Sequence, residues 1–328
     1  MNGQRTCYLR RFAKILVFLL LLVGILQGVS WLVRPRDTVA QARTRSEESL
    51  RVFEEPEQSL DVLFFGHSGL YSAISPMELY KEYGFTSYDC SQPLQLPWES
   101  ARWLKALLKV QSPEVVVFEV DHLFYDGKTT VAKNSAQNMF YDLFPVFRNH
   151  ANWKSWFGGG QKRARSVTKG YYYSTKVKPY KGNKKPEKTD RVYKIGKKHM
   201  RALEEVYSMC EKRGIRLMLL EVPSVVVWDY SRYNAVRAYA EKRGLDFVDL
   251  NQHLEELDFD WKTDTRDKGD HLNYSGARKV SGYVGKYLRD RYSLADRRED
   301  PAYDFWKKDL AGYEKKLEEE KKLEEEKK

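Results

Sequence analysis

Two short stretches hold the residue types that nucleophilic catalysis needs. One is Gly66-His67-Ser68-Gly69, directly after the apolar run Val62-Leu-Phe-Phe65. The other lies some two hundred residues downstream, Asp267-Lys-Gly-Asp-His-Leu-Asn273. A serine hydroxyl attacks a carbonyl only when a base takes its proton, and an imidazole base needs an acceptor to fix its tautomer. Ser68 offers the hydroxyl and His271 the base. Asp267 or Asp270 could be the acceptor, and Asp267 is preferred because adjacent side chains such as those of Asp270 and His271 tend to point apart. Each stretch alone has a plainer meaning. Ser68 could simply cap a following helix, and a lone loop histidine is usually surface decoration. Their pairing is what points to acyl chemistry.

The elements that must position these residues can be read from the pattern around them. A short all-apolar run bounded by turn residues suits a strand buried on both faces of a sheet. The flanking glycines let the chain turn sharply, which puts Ser68 at the C-terminal end of that strand. In open α/β sheets this is the end where ligands bind. Val115-Val-Val-Phe-Glu-Val120, Arg216–Pro223 and Asp246–Leu250 read as further strands. Ser75-Pro76 opens a helix that Gly84 closes, since Ser caps and Pro suits the first helical position. Helices follow over Trp98–Val110, Val192–Arg213, Tyr230–Arg243 and Arg278–Arg291. Strands alternating with helices imply a three-layer α/β fold with a mainly parallel central sheet. Asp121-His122, at the end of the second long strand, reads as a strand-end turn or a site element.

With 328 residues and 42% hydrophobic content, the chain can bury a sizeable core. Ile15–Val33 runs without a charge, long enough to cross a membrane as a helix. Arg5, Arg10, Arg11 and Lys14 precede it, so by the positive-inside rule the N-terminus stays cytoplasmic and the rest is exported. No small-x-small cleavage site follows, which favours an uncleaved signal anchor. The resulting divisions are a cytoplasmic stub and anchor over 1–36, a linker over 37–59, a catalytic-type domain over 60–292 and a charged helical tail over 293–328.

The formal net charge of +11 is unevenly placed. Gly158–Lys198 holds 14 Lys or Arg against only Glu187 and Asp190. This belongs to a basic insertion over about 126–190, whose default meaning is a solvated loop. An anionic polymer or lipid headgroup is the other reading, and nucleic acid is discounted for an exported domain. The three cysteines form no metal-ligand spacing, and no dinucleotide or phosphate-loop motif occurs, so neither metal nor cofactor is expected. Cys90 and Cys210 are expected to be buried thiols.

Val62-Leu-Phe-Phe-Gly-His-Ser68 and Asp267-x-Gly-Asp-His-Leu-Asn273 resemble the first and last blocks of the SGNH (GDSL-like) hydrolase superfamily. More closely they resemble a membrane-anchored envelope branch, in the style of alginate O-acetyltransferase and D-alanyl-transfer accessory proteins. The resemblance covers roughly residues 60–292. It implies a flavodoxin-like sheet and ester hydrolysis or acyl transfer, with Ser68 as nucleophile and His271 as base. The family acid usually stands three residues before the histidine, where this chain has Lys268. The family's second- and third-block oxyanion residues have no clear counterpart. The backbone N–H of Ser68 or Gly69, and the side chain of Gln92 or Gln95, are the candidate donors. The implied function is a serine esterase or O-acyltransferase on an acylated envelope polysaccharide or similar polymer, with a membrane acyl-donor protein as a possible partner. The alternative is a non-catalytic binding or assembly protein for an anionic envelope polymer on the same scaffold.

Overall fold

The computed structural model describes residues 2–33, 46–125, 140, 141, 143–149, 164–182 and 187–325. Contacts divide the chain into two units, Met1–Gln41 with Asp126–Lys162, and Ala42–Tyr125 with Arg163–Lys328. In the first, helix α1 (Asn2–Leu32) carries a 23-residue stretch, Arg10–Leu32, long and apolar enough to cross a membrane. Two polar side chains near its C-terminal end meet the main chain of a second segment of the unit. Gln27 donates to the carbonyl of Leu143 at 2.7 Å, and Ser30 Oγ accepts the N–H of Val146 at 3.0 Å. Such bonds satisfy polar groups that would be costly among apolar neighbours.

The second unit is built on five parallel strands: β1 (Val62–Phe65), β2 (Ser87–Asp89), β3 (Val115–Glu119), β4 (Arg216–Glu221) and β5 (Asp246–Asp249). Their order is β2-β1-β3-β4-β5. This is the flavodoxin-like order, whose switch point lies between β1 and β3. Side chains alternate along β1 as strand geometry requires. Val62 and Phe64 pack with Leu70, Leu79, Val280 and Val284 on one face, and Leu63 and Phe65 with Trp103, Leu203 and Val236 on the other. All four are at most 1% exposed, which is why β1 reads as continuously apolar rather than alternating.

Short helix α2 (Glu47–Leu50) precedes β1. Helices α3 (Ser68–Ala73) and α4 (Pro76–Tyr83) follow it. Ser75 caps α4, Pro76 starts it, and Gly84 ends it at φ 82°, a left-handed cap that glycine adopts freely. Helix α5 (Pro97–Leu107) links β2 to β3. Helices α6 (Lys197–Glu211) and α7 (Tyr230–Arg243) flank β4. Helix α8 (Tyr274–Tyr292) is capped by Asn273, whose side chain accepts the N–H of Gly276. Cys90 and Cys210 are buried free thiols.

Three sequence expectations change. The linker expected over 37–59 is packed from Ser46 onward: Val52 is fully buried and Ser49 Oγ donates to the carbonyl of Ser91 at 2.7 Å. The basic segment is not simply a solvated loop, because Ser166, Thr168, Lys169 and Tyr171 are buried. Lys169 Nζ lies 2.7 Å from both Glu55 and Asp309 and 4.6 Å from the Trp306 ring. A fully buried ammonium needs such partners, and they are far apart in sequence. The glycines at 158–160, with the rest of 126–139, 142, 150–163 and 183–186, lie outside the described residues. Finally, helix α9 (Asp304–Glu325) carries the charged C-terminal tail, yet buries Trp306 and Tyr313 against the core.

Candidate active site

The register of the sheet builds the site. Phe65 lies opposite Phe118, so the next positions bring Gly66 against Glu119 as the two central strands end. A Cβ on Gly66 would meet Glu119 Oε2 at 2.3 Å, and one on Gly69 would meet Oε1 at 2.7 Å. The two glycines therefore make room for a carboxylate beneath the turn. Glu119 Oε2 accepts the backbone N–H of His67 at 2.7 Å and so holds the turn that presents Ser68.

His67 is the N-cap of α3. Its Nδ1 accepts the N–H of Gly69 at 2.9 Å, and its Nε2 lies 2.8 Å from Asp121 Oδ2. The geometry fixes the neutral tautomer, with the proton on Nε2 and directed at Asp121. Burial opposes charge on this ring, while Glu119 and Asp121 favour it and push the pKa up. The Gly69 bond works against that second proton, since a protonated Nδ1 cannot accept, and the hydrogen-bond geometry is that of the neutral ring. Asp121 thus braces the turn, and starts a 3₁₀ turn over Asp121–Phe124. Next to it His122 is buried against Phe118, and burial drives its pKa well down, so it is a neutral packing residue.

Ser68 Oγ lies 2.7 Å from His271 Nε2, and His271 Nδ1 lies 2.5 Å from Asp267 Oδ2. Asp267 Oδ1 accepts the backbone N–H of His271 at 2.7 Å, so one carboxylate grips both ends of the same residue. Asp270 stands further off, with Oδ2 3.4 Å from Nδ1. Two positive φ angles explain how an acid four residues away reaches the ring. Lys268 has φ 74° and Gly269 φ 95°, which coil the loop and bring Asp267 beneath the imidazole. The loop is pinned at both ends: Thr265 bridges Leu272, the N–H of Arg266 donates to the carbonyl of His271 at 3.0 Å, and that of Lys268 to the carbonyl of Lys178 at 3.0 Å.

Ser68, Asp267 and His271 open into a cavity of about 450 Å³ with Tyr71, Pro93, Leu94, Tyr172, Ser174, Lys176 and Arg266 in its wall. Tyr172, Ser174 and Lys176 come from the basic segment. It is laid across the site by main-chain bonds from Tyr172 to Tyr71 (2.8 Å) and from Tyr274 to Ser174 (2.7 Å).

Among solved structures, the chain is similar to a lipase/acylhydrolase from Enterococcus faecalis, at 9% identity and TM-score 0.39, covering 73% of this chain and 100% of that one. It is also similar to a GDSL-like lipase from Bacteroides thetaiotaomicron VPI-5482, at 12% identity and TM-score 0.36, covering 70% and 88%. A third is the acetyl xylan esterase AlAXEase, at 13% and TM-score 0.38, covering 70% and 98%. No family model and no curated protein matches the chain. The roles assigned below rest on the geometry of this chain.

Two of the expected oxyanion donors, Gly69 and Gln95, need correction. The Gly69 amide is not free, because it caps into His67 Nδ1. Gln95 does not reach the cavity. Its Nε2 donates to Ser100 Oγ at 2.8 Å, in a 1%-exposed position, because Leu94 at φ 53° keeps Pro93 and Leu94 at the rim and turns the next residue inward. This leaves the backbone N–H of Ser68 as the donor next to the nucleophile. Asp267, Asp270 and His271 place ligand atoms within 4.8 Å of one another, a spacing that could hold a metal ion, but both Asp267 oxygens are already engaged by His271.

Sequence reasoning did not single out Glu119, Arg266 or Tyr172. The signal for Glu119 was present, as one carboxylate in an otherwise apolar strand. The same pattern recurs at the C-terminal ends of other strands. Asp89, Glu221 and Asp249 are all buried, and burial raises all three pKa values, that of Asp89 to about 8.

Proposed function

We propose that the chain is a serine esterase or O-acyltransferase of the SGNH kind, anchored in a membrane by α1, acting outside the cytoplasm on an acylated envelope polysaccharide or similar polymer. The observation that carries this reading is the continuous set of contacts from Ser68 through His271 to Asp267, open to a substrate-sized cavity. His271 Nε2 takes the Ser68 proton as Oγ attacks the acyl carbonyl. The imidazolium is stabilised by Asp267 at Nδ1, with Asp270 nearby. Collapse of the tetrahedral intermediate releases the alcohol, which receives the proton from Nε2. Water or a sugar hydroxyl then gives its proton to His271 and attacks the acyl-serine, and Nε2 returns that proton to Ser68 Oγ as the acyl–oxygen bond breaks. Hydrolysis and transfer differ only in that second acceptor. A membrane acyl-donor protein fits the transfer version, with the donor loading Ser68 and the polymer unloading it.

Purified full-length protein in mild detergent should release nitrophenol from p-nitrophenyl acetate, and Ser68→Ala or His271→Ala should abolish the release. A folded wild-type protein without turnover would favour the second reading, a binding or assembly protein. That reading draws on the occupied Gly69 amide and the inward-turned Gln95, which leave few donors for an oxyanion.

A further inference from the structure

We infer that Arg266 is an anion anchor for the Ser68 cavity, so that the ester this site takes carries a carboxylate or phosphate group a few bonds from its scissile carbonyl. The inference rests on the reading of Ser68 as an ester-attacking nucleophile and narrows its substrate. The cavity wall is divided by chemistry. Tyr71, Pro93, Leu94 and Tyr172 offer apolar and aromatic surface, Ser68, His271 and Asp267 the reacting groups, and Arg266 and Lys176 positive charge.

Arg266 is held, not loose. Its main-chain N–H donates to the carbonyl of His271, so its position is tied to the base. Its guanidinium lies over the Tyr172 ring, 4.4 Å from the centroid, and Nη2 donates to Ser72 Oγ at 2.9 Å. Ser72 Oγ in turn donates to the carbonyl of Ser68 at 2.7 Å. Ser72 is one helical turn beyond Ser68, about 6 Å along the axis at the usual rise per residue. The cation therefore stands roughly one sugar or glycerol unit from the attacking oxygen.

What marks Arg266 is the missing counter-ion. Other half-buried or buried cations of this unit have carboxylates: Lys169 has Glu55 and Asp309, Lys279 has Asp264, and Arg297 has Asp61. Among the described residues Arg266 makes no ion pair. The adjacent Asp267 cannot serve, since both of its oxygens face His271. A guanidinium presents five donors in a planar fork suited to a two-oxygen anion. Stacking on Tyr172 orients that fork without using it up. Lys176, exposed at the rim, adds a second positive charge. A neutral substrate would leave this charge partly desolvated and uncompensated, whereas an oxyanion would pair with it.

The test compares three acetate esters of similar size with full-length protein in detergent: 1-acetylglycerol, 1-acetylglycerol 3-phosphate and 3-acetoxypropionate. The readout is the ratio of kcat/KM for each anionic ester to that for the neutral one. We expect a ratio of about ten or more for at least one anion, falling to near one in Arg266→Gln and at high salt. Preference for the phosphate or the carboxylate ester identifies the source of the charge. A wild-type ratio near one, or a ratio unchanged in Arg266→Gln, overturns the inference and leaves Arg266 a brace between α3 and the histidine loop. Binding of inorganic phosphate and of propionate to Ser68→Ala, measured by calorimetry with and without Arg266→Gln, separates the two levels. Arg266-dependent anion binding without turnover of any ester, p-nitrophenyl acetate included, sinks the esterase reading and keeps the anion site. Turnover without Arg266-dependent binding or preference sinks the anion site alone.

Discussion

Asp267 accepts both the ring Nδ1 proton and the main-chain N–H of His271, at 2.5 and 2.7 Å, one oxygen for each. The double grip sets the imidazole's tautomer and its orientation together, and leaves Nε2 aimed at Ser68. Replacing Asp267 by Asn should lower kcat on p-nitrophenyl acetate by on the order of 10³–10⁴-fold, since the amide would favour the wrong tautomer. Asp270→Asn, which alters a carboxylate 3.4 Å from the ring, should cost less than about tenfold. Equal losses in the two variants would show that the acid has been misassigned.

Gly269 should resist substitution for two reasons. Its φ of 95° is costly for any residue with a Cβ, and that Cβ would lie 2.4 Å from Val225 Cγ2. Gly269→Ala is expected to destabilise the protein by about 1–3 kcal/mol and to lower activity further by displacing Asp267. Thermal melting followed by circular dichroism, alongside esterase assay, reads both effects. Unchanged melting and activity would show that the loop does not need this conformation.

Most of the fold was legible in the sequence because its signals are local. An apolar run ended by glycines marks β1, Ser75-Pro76 and Gly84 bracket α4, and Gly244 ends α7 with a left-handed cap. The pairing of Ser68 with His271 was legible from type and context. The helix expected from Val192 instead begins at Lys197, after Gly196, because nothing in the sequence marked where its basic N-terminal residues leave the loop. The role of the basic segment was hidden for a deeper reason. Burial of Lys169 depends on Glu55 and Asp309, and the placement of Tyr172 on a main-chain bond to Tyr71, all contacts between distant positions. The oxyanion assignments failed similarly: that Gly69 is taken by His67, and that Leu94 turns Gln95 inward, are facts of backbone geometry.

The buried Lys169 cluster should be structural. Lys169→Met leaves buried Glu55 without a cation and Asp309 with Arg165 alone, and should cost about 3–5 kcal/mol. The double variant Lys169→Met, Glu55→Gln should recover much of that loss, because the uncompensated Glu55 charge is gone while Asp309 keeps Arg165. Denaturant unfolding of the full chain measures both. A single variant as stable as wild type would place the ion cluster outside the stabilising core.

Stability should fall as pH rises from about 6.5 to 8. Buried Asp89, with its pKa raised to about 8, keeps a proton that the unfolded chain releases near pH 4, so its contribution declines between those values. Buried His122, whose pKa is driven well down, opposes this only below about pH 6.5, where the unfolded chain takes up a proton that the folded ring does not. Carboxylates held low by hydrogen bonds that outweigh partial burial, such as Asp229 and Asp246, act only at or below about pH 4, beneath this window. The melting temperature should therefore drop toward alkaline pH, and Asp89→Asn should make the drop shallower between about pH 6.5 and 8. A melting temperature that rises across this window would contradict the Asp89 shift.

The central claim, that Ser68 is a nucleophile activated by His271, is tested most directly by a fluorophosphonate probe with peptide mapping of the adduct. Full-length protein should carry the phosphonyl group on Ser68 alone, with labelling lost in Ser68→Ala and slowed by at least about a hundredfold in His271→Ala. Folded protein that takes no label, or takes it equally at another residue and independently of His271, would contradict the assignment.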